Sequence, residues 1–226
     1  MNRQSILTFI RHIRELNRPV FTTHELADVS GKSLSAATQT LSLLEREGFI
    51  FKIHRGIWGE VGRGRLSAYS VVPYLFPRHR AYVSFISALH LYGMIEQIPQ
   101  VVTLASTVHT KIIRTKMGVF SVHRICPEFF GGFDWYKGSG SFLIAEPEKA
   151  LVDSLYLSGR KKKQFGYFPE MHFPKVFSFA KARGWARRIP DARIRSYVQE
   201  RLLRSLRSLA MTRGGQITLH LSKAQV

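Results

Sequence analysis

Helix start and stop signals crowd the first sixty residues so closely that only short elements fit between them. Ile6, Phe9, Ile10, Ile13 and Leu16 recur at three- and four-residue steps, with Ser5 ahead of them as an N-cap, so residues 5–17 read as an amphipathic helix that Pro19 stops. Thr22-Thr23-His24-Glu25 has the Thr-x-x-Glu form of a capping box and opens a short helix turning Leu26, Ala27 and Val29 inward. Gly31 closes it. Ser33 is a fresh N-cap, and Leu34, Ala37, Leu41 and Leu44 form the apolar stripe of a third helix running to Gly48. Beyond it Phe51 and Ile53 alternate with Lys52 and His54, turn at Arg55-Gly56, and continue into Ile57 and Trp58, a two-stranded wing. The order is that of a winged helix-turn-helix.

At 100° per residue, Ser35, Gln39, Ser42 and Arg46 fall within about 60° of one another, opposite the third helix's apolar stripe. That face suits a DNA groove. Gln39 can donate to and accept from an adenine edge, Arg46 can reach phosphate or guanine, and the small Ser33, Ser35 and Ala36 allow close approach at the helix N-terminus. Leu43 lies on the same side, placed either to touch a thymine methyl or to pack under the wing. Lys52, His54 and Arg55 suit the minor groove or the adjacent phosphates. The same layout also serves as a protein-binding module.

Charge bears on that choice. Thirty-four Lys+Arg against 15 Asp+Glu leave a net charge of +19, well above what solubility needs, which argues for a polyanionic partner. The excess is uneven, with 15 basic and 3 acidic residues in 161–226. Hydrophobic residues at 45% and charged residues at 22% exclude a disordered or collagen-like chain. The single cysteine, Cys126, excludes a disulfide scaffold and a Cys-based zinc site, and is compatible with a reducing cytoplasm. The first residues lack a signal-peptide core, and no segment has about 18 uninterrupted apolar residues for a membrane span.

The length fits two small domains: 1–75, the winged helix-turn-helix with a connector over 60–80, and 76–209, a mixed α/β domain, with 210–226 as a tail. The fold class is therefore α+β. In the second domain a helix over 84–92 ends at Gly93, a strand follows at 101–105, and 111–114 pairs with 119–125 across Gly118. A short strand at 141–145 leads to a helix starting at Pro147 and ending at Gly159, and two more helices lie near 174–183 and 190–209. The stretch GGFDWYKGSGS at 131–141 reads as a flexible loop, and ITLHL in the tail as either one edge strand or a disordered segment.

Three phrases stand in order: RGIWG in the wing, SALHLYGMIEQIP at 87–99 and AEPEKALVDSLYL at 145–157. Together they resemble the AbiEi family of antitoxin-like transcriptional regulators, over about residues 5–206. The resemblance implies a winged helix binding inverted repeats of double-stranded DNA in its own promoter. It also implies a second domain that neutralises a nucleotidyltransferase-type toxin in phage defence. Such proteins are monomers or weak dimers that bind cooperatively. The basic C-terminal segment has no counterpart in that pattern, so a solitary regulator without a toxin stays open.

Other chemistry reads as weaker. Glu146, Glu148 and Lys149 invite a metal-dependent nuclease reading, but position 147, where the acid two residues before the lysine should stand, is proline. Glu146 and Glu148 read more simply as first-turn acids complementing a helix dipole, and Lys149 as solvated or ion-paired. Nine scattered histidines lack ligand spacing, so neither a metal nor a cofactor is expected. His90 reads as a hydrogen-bonded, semi-buried histidine, and Cys126 as a partly buried thiol. No enzyme activity is expected. In the last helix Ile194, Val198, Leu202, Leu206 and Leu209 form one stripe, while Arg193, Arg201, Arg204 and Arg207 share another face. That second basic surface is a solvated face, a phosphate contact or a dock for an acidic partner.

Overall fold

The computed structural model of the chain describes residues 3–62, 66–138, 141–160 and 171–212. Its first part runs α1 (Arg3–Glu15), β1 (Val20–Thr22), α2 (Thr23–Ser30), α3 (Leu34–Arg46), β2 (Ile50–His54) and β3 (Ile57–Glu60). Each helix boundary has a local cause. At the start of α2, Thr22 Oγ1 accepts from the Glu25 N–H at 3.2 Å while the Thr22 N–H donates to Glu25 Oε2 at 2.8 Å. Gly31 closes α2 in left-handed backbone at φ 63°, which costs glycine little. Ser33 Oγ then accepts from the Ala36 N–H at 3.2 Å and opens α3.

The three strands form one antiparallel sheet in the order β1-β3-β2. The expected two-stranded hairpin thus gains a third strand, because Val20–Thr22 pairs along the free side of β3. Phe9, Ile13, Phe21, Leu26, Leu41, Leu44, Ile50 and Trp58 fill the space between helices and sheet. Inside it the Trp58 indole N–H donates to Thr23 Oγ1 at 2.9 Å. Three expectations need correction. Ser5 lies within α1, which already runs from Arg3, and so does not cap it. Val29 and Leu34 are 42% and 44% exposed, because each sits at a helix end that projects past the core.

A packed connector leads onward, with Val71 and Val72 of a 3-10 segment (Ala68–Leu75) buried. Then come β4 (Ala81–Val83), α4 (Phe85–Leu91), β5 (Val102–Ser106), β6 (Lys111–Thr115), β7 (Gly118–Arg124), β8 (Phe133–Trp135) and β9 (Leu143–Ala145). They build a six-stranded mixed sheet in the order β6-β7-β5-β4-β9-β8, with β5/β7 and β4/β9 parallel. Phe133–Trp135, expected in a flexible loop, is an edge strand, because β9 supplies the ladder that its glycine-rich flanks do not suggest.

Three helices complete the fold: α5 (Pro147–Gly159), α6 (Phe179–Arg187) and α7 (Ala192–Thr212). α5 packs on α4, α6 and α7 and is buried from Glu148 to Leu157. α6 starts five residues later than expected, at the cap where Ser178 Oγ accepts from the Lys181 N–H at 3.2 Å. α7 takes in the first residues of the expected tail, through Thr212, and ITLHL lies outside the described residues. The chain is α+β, and no described helix is long and apolar enough to cross a membrane.

The two sheets are joined. Val20, Ile53 and Ile57 of the first sheet share an apolar cluster with Val71, Val72 and Tyr82. The Lys116 N–H, in the β6–β7 turn, donates to the Ile53 carbonyl on β2 at 3.1 Å, and its ammonium pairs with Glu45 Oε1 at 3.4 Å.

Candidate nucleic-acid interface

α3 buries Ala37, Thr40, Leu41 and Leu44 and turns the other side to solvent. Ser35, Gln39, Ser42 and Arg46 are all exposed there, as the 100° spacing requires. The side chains of Gln39 and Arg46 make neither a hydrogen bond nor an ion pair with any described residue. Ser42 Oγ donates to the Thr38 carbonyl at 3.0 Å, so its oxygen stays able to accept. Ser33 is engaged as the N-cap, and Ala36 and Leu43 are half-buried. Thr40, on the inner side, is a buried polar residue that the apolar stripe gave no sign of, its hydroxyl donating to the Ala36 carbonyl at 2.9 Å.

The hairpin places the second group. Arg55 is exposed at the turn, where Gly56 takes φ 72°, and His54 is half-buried beside it. The Gly56 carbonyl accepts from the Thr23 N–H at 3.0 Å, tying the turn to the start of α2. The Lys52 ammonium lies 5.6 Å from the Trp58 ring centroid, and the Lys52 N–H donates to Glu45 Oε1 at 3.1 Å. Two neighbouring acids are neutralised within the chain: Glu45 by Lys116, and Glu25 by Arg18 at 3.2 Å. Arg46, Lys52 and Arg55 are therefore less offset than the local count of acids suggests.

The expected second basic surface is only partly assembled. Arg193 is exposed, Arg204 is exposed and paired with Glu200 at 2.5 Å, and Arg201 is half-buried with its guanidinium 5.9 Å from the Tyr197 ring centroid. Val198 and Leu202 are buried beneath them; the side chains of Leu206, Arg207 and Leu209 lie outside the described residues.

Of the acids and lysine of the nuclease reading, Glu146 borders a hollow with Asp134 and Lys137, while Glu148 and Lys149 are buried away from it. Lys149 is fully buried, not solvated, because it sits on the inner side of α5. Its ammonium pairs with the Asp153 carboxylate one turn on, donates to the Tyr82 hydroxyl at 3.1 Å, and stands 3.7 Å from the Phe129 ring centroid. Asp153 also accepts from Ser84 Oγ at 2.7 Å and from the Tyr82 hydroxyl at 3.1 Å. Burial lowers the Lys149 pKa against the pull of Asp153, and raises that of Asp153 against Lys149, Ser84 and Tyr82. Burial likewise holds the Tyr82 hydroxyl well above its ordinary value, with Asp153 adding to the effect. Glu148 accepts from the Ser178 N–H at 2.9 Å, and Glu146 pairs with Lys181 at 3.0 Å. His90 is half-buried, and its Nδ1 is sealed from water without the hydrogen bond expected of it. Cys126 is partly buried, as its place beside Pro127 suggests.

Comparison with protein-family models gives no match for this chain, and comparison with curated proteins gives none either.

Proposed function

We propose that the chain is a DNA-binding transcriptional regulator whose residues 1–75 form a winged helix-turn-helix domain. The observation that carries this is the outer face of α3, where Gln39 and Arg46 stand exposed with no partner among the described residues. The element order and the β1-β3-β2 sheet support the winged-helix part. In this reading Ser35, Gln39 and Arg46 read base edges from the major groove, and Lys52 and Arg55, with His54 beside them, grip the backbone. The three phrases quoted above support a narrower proposal. It is an AbiEi-like antitoxin, cytoplasmic, that represses its own promoter at inverted repeats and counteracts a nucleotidyltransferase-type toxin through residues 76–209.

The test is binding to the chain's own upstream DNA against a scrambled duplex, by fluorescence anisotropy at about 50 and 200 mM salt, a range over which phosphate-only binding collapses. A preference for upstream DNA that survives the higher salt is expected. Gln39→Ala should erase that preference with little change in the salt slope. Lys52→Ala and Arg55→Ala should weaken both duplexes alike and reduce the slope by about 1 each. Equal binding to both duplexes, or one common effect from all three variants, defeats the reading.

A further inference from the structure

A cleft of about 580 Å³ opens between the two sheets, within the volume range of small-molecule sites and at the kind of junction where such sites occur. Its walls come from both sides of the junction. Arg18 and Pro19 approach from the α1–β1 turn, Pro73 and Tyr74 from the 3-10 segment, Pro77 from just beyond it, and Trp135 from β8. Three proline rings and two aromatic side chains make flat apolar surfaces of the kind on which an aromatic ring packs. Trp135 is 56% exposed, unlike Trp58 at 2%, so much of its surface is open to the cleft and to solvent.

The charged groups of the cleft are unequal. Glu25 is fully engaged: Oε2 accepts from the Thr22 N–H at 2.8 Å and from its hydroxyl at 3.1 Å, and Oε1 faces Arg18 Nη1 at 3.2 Å. Arg18 is not. A guanidinium carries five N–H donors in a rigid fork, and this one, 51% exposed, meets only Glu25 and the Tyr74 hydroxyl among the described residues. Beside the Tyr74 hydroxyl Arg18 favours ionisation, but burial outweighs it and the Tyr74 pKa is raised, so the phenol stays a neutral donor. Beside the hydroxyls of Ser70 and Ser141, the cleft thus offers a cation with free donors next to flat apolar walls.

We propose that this cleft binds a small aromatic carboxylate, its ring against Trp135 and the proline walls and its carboxylate on the free donors of Arg18. The site owes nothing to the DNA-binding proposal and stands if that proposal fails.

Isothermal titration of the full chain with indole-3-acetate, and with its neutral amide indole-3-acetamide, tests it. Single-site binding of the acetate is expected, with the amide at least ten-fold weaker. Arg18→Gln should bring the acetate down to the affinity of the amide, and Trp135→Ala should weaken both ligands. Because the chain carries net charge +19, the exposed Arg183 on α6 supplies a charge-matched control, and Arg183→Gln should leave both affinities unchanged. Equal affinities for acetate and amide, equal losses in Arg18→Gln and Arg183→Gln, or no binding of either ligand would overturn the proposal.

Discussion

Replacing Lys149 by methionine keeps most of the side-chain volume and removes the charge, which isolates the worth of the buried cation. The variant leaves the Asp153 carboxylate fully buried, still accepting from Ser84 at 2.7 Å and from Tyr82 at 3.1 Å, but with no positive partner. Removing one member of such a pair costs about 3–5 kcal/mol, a large share of the roughly 5–15 kcal/mol that holds a typical fold together. At about 2–4 °C per kcal/mol for a protein of this size, the melting temperature should fall by roughly 6–20 °C. The sign of the pH effect follows from Asp153. Burial already raises its pKa against the pull of Lys149, so losing Lys149 raises it further. Between the unfolded value of 3.8 and that raised value, the folded variant holds a proton that the unfolded chain has released. Its stability is therefore fully present below the unfolded pKa and is lost as pH rises through the folded one, by up to about 1.4 kcal/mol per pH unit. Urea denaturation of parent and variant between pH 7 and pH 4 should show the deficit narrowing on acidification. Lys149→Met combined with Asp153→Asn removes the stranded charge but keeps an acceptor for Ser84 and Tyr82, so it should recover at least about 2 kcal/mol of the loss. A deficit that widens in acid, or a double variant no more stable than Lys149→Met, refutes the reasoning.

Thr22→Ala deletes both side-chain bonds of the α2 cap and should cost about 1 kcal/mol by urea denaturation, whereas Thr22→Ser should cost less than half of that. Thr23→Val strips the Trp58 indole of its acceptor inside the first core and should cost about 1–3 kcal/mol. Gly132→Ala sets a methyl group 2.4 Å from Trp185 Cζ2 in backbone at φ 69°, so it should destabilise by at least about 2 kcal/mol and shift tryptophan emission; an unchanged spectrum and melting temperature would contradict the geometry.

What the sequence revealed depended on how far apart the cooperating residues lie. Thr22 with Glu25, and Ser33 with Ala36, declare their elements because each cap is closed by residues a few positions away in the chain. The outer face of α3 was legible for the same reason, since one helix period places Ser35, Gln39, Ser42 and Arg46 together. The start of α6 falls five residues after the expected 174 because its cap is Ser178, which has no acid three residues on to announce it. β8 was hidden because a three-residue strand owes its existence to its neighbour β9. Lys149 was the hardest to place. Beside Pro147 and Glu148 it reads as either solvated or ion-paired; the ion pair with Asp153 forms one turn on, but only the fold buries it and brings Tyr82 and Ser84, more than sixty residues away, around the pair. The cleft at Arg18 and Trp135 was likewise invisible, since its walls come from three distant stretches.

The contact between Lys116 and β2 also carries information about operator architecture under the proposed reading. With its outer strand bonded to the β6–β7 turn and its inner residues sharing an apolar cluster with the body, the reading head is not a module on a loose tether. Two copies seated on neighbouring repeats would each bring the whole body to a set angle around the duplex. Adding five base pairs between the repeats turns one copy by about half a helical turn to the opposite side, and adding ten returns it to the same side. Cooperative occupancy should therefore rise and fall with the pitch of the DNA as the spacer lengthens, where a tethered head would show a smooth decline.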